Sequence, residues 1–103
     1  MDKAAALQEI LAQDPKNSFA RYGLAMELAG RGETEAALSE FTSLLENDGN
    51  YTAGYFMAAQ TLANAGRTPE AIERLKAGIA SARRAGNTHA ASEMQAMLDE
   101  LDR

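Results

Sequence analysis

A shift of 34 residues lays one half of this 103-residue chain onto the other. Gly32-Glu33-Thr34-Glu35-Ala36-Ala37-Leu38 falls on Gly66-Arg67-Thr68-Pro69-Glu70-Ala71-Ile72. Upstream, Tyr22, Ala25, Leu28 and Ala29 fall on Phe56, Ala59, Leu62 and Ala63; downstream, Phe41 and Leu45 fall on Leu75 and Ile79. One period earlier, Leu7 and Leu11 occupy the places of Phe41 and Leu45, and Asp14-Pro15 stands where Asp48-Gly49 stands. A period of this length, kept in residue size as well as type, marks a repeat array whose units bury their apolar faces only against their neighbours.

The repeated unit is helical. Alanine supplies 22 residues, valine none, and Ile10, Ile72 and Ile79 are the only β-branched aliphatic residues. A sheet needs more β-branched and aromatic side chains than that. Pro15 ends a helix that starts near Asp2, and Asn17 or Ser18 caps the next, which runs to Gly30-Arg31-Gly32. Thr34 is expected to cap a helix through about Glu46, with Leu38, Phe41, Leu44 and Leu45 on its apolar face, before the turn Asn47-Asp48-Gly49-Asn50. The second unit repeats the plan: a helix over 52–65, then Thr68 as cap with Pro69 first in a helix to Ala85. Gly86-Asn87 breaks the chain again, and a sixth helix runs over 88–101. The expected organisation is one domain over 1–103: an N-terminal half repeat (1–14), repeats over 17–50 and 51–85, and a C-terminal capping helix (87–103).

The positions that repeat resemble those of the tetratricopeptide repeat family. Leu24, Ala25, Leu28, Gly32, Ala37 and Phe41 follow its pattern in the first unit. Tyr55, Ala58, Ala59, Leu62, Gly66, Ala71 and Leu75 follow it in the second, and Asp14-Pro15 is similar to its terminal acid and proline. Arg21 stands where the family often has Trp, Leu44 where it prefers Ala, and Gly49 where it has Pro. The resemblance implies an all-α, right-handed α-solenoid of antiparallel helix pairs, with two full repeats flanked by two half repeats. It also implies that the first helices of the pairs line a concave face.

Charge and composition exclude several functions. The net charge is −5: residues 1–50 carry nine acids and four bases, 51–85 carry two and five, and 86–103 carry four and one. An acidic chain does not favour nucleic acid, which is held by Lys and Arg on phosphates. The bases of the middle segment fit a helix that ends in cations. Without cysteine there is no disulfide, thiolate zinc site or cysteine nucleophile. No apolar run nears the roughly 20 residues of a membrane span, and the start lacks a secretory signal, so a soluble cytoplasmic protein is expected.

Chemistry has little to use. His89 is the sole imidazole, and with Glu93 one turn on it reads as a solvated helix pair, short of the three or four ligands a zinc site needs. No third group orients Ser92 into a triad, and Gly30-Arg31-Gly32 lacks the strand and spacing of a phosphate cradle. No cofactor and no metal is expected.

The helix over 18–30 carries two apolar stripes, Leu24, Ala25 and Leu28 on one side and Phe19, Tyr22 and Met26 roughly 140° away. One stripe packs a solenoid; the second needs another reason. Together with Phe56, Met57, Gln60 and Asn64 on the fourth helix and Met94 on the sixth, it suggests an apolar groove for an amphipathic helix or extended peptide. The competing reading is that the end helices curl in and bury these residues as core. Tyr22 and Gln60 suit a groove because each adds a polar group. Some members of the family hold acidic chaperone tails in a clamp of Lys, Arg and Asn; here those places hold Tyr22, Gly23, Met26, Phe56, Met57 and Gln60, without a cation.

The function expected is thus a non-enzymatic interaction module for a protein or peptide partner. Its rival is a self-assembling structural domain whose unpaired end helices pair between copies, giving a weak homodimer. An enzyme accessory domain would need more converging polar groups than Tyr22, Gln60 and Asn64.

Overall fold

The computed structural model describes residues 2–103, and these form six α-helices with no strand among them. They are α1 (Lys3–Gln13), α2 (Ser18–Gly30), α3 (Thr34–Asn47), α4 (Thr52–Asn64), α5 (Thr68–Arg84) and α6 (Thr88–Leu101). The helices group into two compact units, α1 to α3 ending at Asp48 and α4 to α6 beginning at Gly49. The dividing point lies in the Asn47-Asp48-Gly49-Asn50 turn. In the first unit α2 packs on both α1 and α3; in the second α5 packs on both α4 and α6, and α4 touches α6.

Three glycines set the corners. Gly32, Gly66 and Gly86 have φ of 77°, 77° and 71°, a left-handed conformation that costs any residue with a β-carbon about 1–2 kcal/mol. Each closes its helix with the same two bonds. Gly32 and Glu33 donate to the carbonyls of Ala29 and Leu28, Gly66 and Arg67 to those of Ala63 and Leu62, and Gly86 and Asn87 to those of Arg83 and Ala82. These pairs satisfy carbonyls that a helix end leaves without partners.

The same bonds correct two expected caps. Thr34 and Thr68 are the first helical residues, and Glu33 and Arg67 hold the cap positions without a side-chain cap bond. The residue after each glycine is already tied back to the preceding helix, so the chain enters the next helix one residue early. Pro69 accordingly sits second. Asn87 occupies the same position and does cap, accepting from Ala90 N at 3.1 Å. Asn17 caps α2 through Ala20 N at 2.9 Å, and Asp2 caps α1 through Ala5 N at 2.8 Å.

The core of the first unit includes Leu11, Leu24, Ala25, Leu28, Ala37, Phe41, Leu44 and Leu45; that of the second includes Tyr55, Ala59, Leu62, Ala71, Leu75 and Ile79. The alanines matter as much as the large residues. Ala25, Ala37, Ala59 and Ala71 are all 0% exposed, and they lie in the pairs α2–α3 and α4–α5. A methyl group is all that fits where two helices meet at short range. The two units also share one turn device. Arg21 Nη2 donates to Pro15 O at 2.9 Å, and Tyr55 OH, 34 residues on, donates to Gly49 O at 2.8 Å. The family's Trp position is therefore held by residues that tether the turn six residues upstream.

Candidate functional site

The expected site residues fall on α2, α4 and α6, and the structure treats the three helices differently. On α2, Ala20, Leu24, Ala25 and Leu28 are buried, while Phe19 is 79% exposed, the most exposed large apolar side chain among the described residues. Met26 is half-buried, two helical turns from Phe19. Tyr22, between them, is half-buried in an edge-to-face contact with Phe41, ring centroids 6.5 Å apart at 67°. The second stripe of α2 thus has an exposed end and a middle that rests on the core.

In the second unit Phe56 and Met57 are half-buried, and Gln60 and Asn64 are exposed. They lie on α4, whose buried residues are Gly54, Tyr55, Ala58, Ala59 and Leu62. Thr61 Oγ1 donates to Met57 O at 2.8 Å, within the helix.

Met94 does not belong with them. It is 1% exposed, in the core of the second unit. A β-carbon at Gly78 would lie 2.6 Å from Met94 Sδ and 2.6 Å from Tyr55 Cβ, so α5 comes close to both neighbouring helices there. The reason is a change of spacing. α5 has 17 residues where α3 has 14, and α6 opens at Thr88, 36 residues after Thr52, in place of 34. Counted from these helix starts, Met94 aligns with Ala58 and Leu24, both buried core residues. The helix starts carried that signal; the 34-residue period hid it.

A second exposed large apolar residue is Ile10 on α1, 45% exposed. With Ala6, Glu9, Gln13 and Asp14 it lines an open depression of about 320 Å³. Its counterparts 34 and 68 residues on, Leu44 and Gly78, are buried. Among the described helices α1 packs on α2 alone, and Ile10 stays open.

Electrostatics adds surface pairs. The Asp2 carboxyl is held below the usual range first by the Ala5 N–H bond and then by Arg31, whose Nη2 lies 3.3 Å away. Glu70 is lowered by its paired bonds from Arg67, each 2.8 Å. Arg21 Nη1 meets Glu40 Oε1 at 2.6 Å, and His89 Nε2 lies 3.1 Å from Glu93 Oε1 on the exposed side of α6. These contacts fix caps and helix pairs. Among the described residues no three His, Cys, Asp or Glu side chains gather as a metal site would need, and no helix is long and apolar enough to cross a membrane.

Comparison with known proteins bears on both fold and family. The family model described as tetratricopeptide repeat matches residues 1–56. A TPR repeat-containing protein of Pseudomonas aeruginosa is 30% identical over 97 residues, which cover 94% of this chain and 92% of that protein. The structure of a tetratricopeptide repeat domain protein from Salinibacter ruber superposes with a TM-score of 0.80 at 31% identity, over 84% of this chain and 88% of that one. PcrH, in complex with the chaperone binding region of PopD, superposes with a TM-score of 0.89 at 21% identity, over 96% of this chain and 75% of that one. Sequential helix pairs, glycine corners at a 34-residue spacing and these likenesses agree: the chain belongs to the tetratricopeptide repeat family.

Proposed function

We propose that the chain is a non-catalytic binding module that takes a peptide or helix of a partner protein on the apolar faces of α2 and α4. Phe19, Tyr22 and Met26 make the first contact surface, and Phe56, Met57, Gln60 and Asn64 the second. The observation that carries the reading is Phe19, nearly four-fifths exposed on a well-formed helix that already has a buried stripe. The complex of PcrH with a PopD segment supports it by analogy of fold. Tetratricopeptide repeat proteins are typically non-catalytic, and His89 pairs with Glu93 on the exposed side of α6. Helices that are already formed lose little further entropy on binding, so apolar anchors count in full. Aromatic and methionine side chains adapt to varied apolar partners, and the absence of cations on these faces argues against an acidic tail.

The test starts with peptides selected from a displayed random library on the wild-type chain. Phe19→Asp should weaken their binding about 30-fold, the loss of a contact worth about 2 kcal/mol. The fold should hold, because the position is solvent-facing and an acid in the first turn of a helix is favourable. Equal affinity for wild type and variant would overturn the reading.

A further inference from the structure

We infer that the partner segment taken up at Phe19 is a basic amphipathic peptide, its apolar anchor flanked by Lys or Arg. The inference rests on the contact surface proposed above and names the chemistry that surface selects. Phe19 lies in the first turn of α2. A helical side chain leans toward the N-terminus of its helix, here toward the turn Asp14-Pro15-Lys16-Asn17. That end of α2 lies beside the C-terminal ends of α1 and α3. The short turn joins it to α1, and Ser18 Oγ, donating to Asp48 Oδ2 at 2.9 Å, ties it to α3.

Both of those helix ends carry charge of the sign that disfavours the fold. The C-terminus of a helix is the negative end of its dipole and attracts cations. Neither α1 nor α3 has a base in its last turn; their C-caps are Asp14 and Asp48, and Glu46 stands in the last turn of α3. Asp14 and Glu46 are exposed, and neither carboxylate has a hydrogen bond or ion pair among the described residues. The nearby bases do not answer them. Arg21 is engaged by Glu40 and by Pro15 O, which leaves Lys16. Residues 1–48 together carry nine acids and four bases. An exposed apolar ring in an anionic field suits a cationic amphipathic segment, which covers Phe19 and brings Lys or Arg to Asp14 and Glu46. A second copy of this chain, with a net charge of −5, is repelled by the same field.

The test uses the full chain and the display-selected peptides. These should be net positive, with Lys or Arg within about one helical turn of the apolar residue. Asp14→Asn with Glu46→Gln should weaken their binding about five-fold, the loss of two exposed charge contacts. Added salt should weaken binding to wild type and change binding to that variant little. The variant should melt no lower than wild type, because two acids leave helix C-termini and the bond between Ser18 and Asp48 is untouched. Phe19→Ala, which leaves the charge unchanged, tests the surface itself. The inference is overturned, with the contact surface intact, if the selected peptides are neutral or acidic yet bind Phe19→Ala more weakly. It is also overturned if the neutralised variant binds as tightly as wild type. Peptides that bind Phe19→Ala as tightly as wild type would overturn the contact surface and the inference together. Concentration-dependent association of wild type that Phe19→Ala abolishes would make a second copy the occupant and overturn the inference as well.

Discussion

Phe41→Ala should cost about 3–5 kcal/mol of folding free energy, the largest loss of any truncation in the first unit. Phe41 is wholly buried on α3 and packs against the Tyr22 ring in an edge-to-face contact. Alanine would remove the ring, leave a cavity between packed helices and undercut Tyr22, which shares the proposed contact surface with Phe19 and Met26. Better helix propensity returns only a few tenths of a kcal/mol. Against the usual stability of about 5–15 kcal/mol, the loss is severe. Thermal melting should fall by about 15 °C or more, and peptide binding should weaken along with it. A melting point within a few degrees of wild type would contradict the packing.

Met94→Ala should separate stability from binding. Loss of a buried methionine costs about 2–5 kcal/mol, and here the side chain fills the space beside Gly78. Met94→Leu, which nearly conserves volume, should cost less than about 1.5 kcal/mol. Selected peptides should bind the Met94→Ala variant as they bind wild type, measured below its unfolding transition. A groove residue would behave in the opposite way, with unchanged melting and weakened binding. Calorimetry and titration on the same preparation distinguish the two.

Much of the fold is written in the chain because its corners are chemically unambiguous. Gly32, Gly66 and Gly86 can take positive φ without strain, and Ala25, Ala37, Ala59 and Ala71 recur where helices meet. Pro15 and Asn17 place the first corner within a residue. What period alone does not carry is any change in helix length. The three extra residues of α5 move α6 by two places, and Met94 passes from the expected groove into the core. Residue type points to Thr34 and Thr68 as caps, one residue late, because the glycine turn, in preference to a hydroxyl, starts α3 and α5. Exposure is legible only where polarity shows it. Ile10 is apolar in type and aligns with buried Leu44, and its openness shows only in the structure, where α1 packs on α2 alone among the described helices. Phe19 was legible as the end of a second stripe; the partial burial of Tyr22 was not, because a ring that rests on Phe41 has the same spacing as one that does not.

The most direct test of the peptide-binding account follows the methionine methyl resonances while a display-selected peptide is titrated into the chain. Met26 on α2 and Met57 on α4 should shift and saturate with the peptide, while Met94 and Met97 on α6 stay in place. Shifts at Met94 and Met97 with Met26 and Met57 unmoved would contradict it.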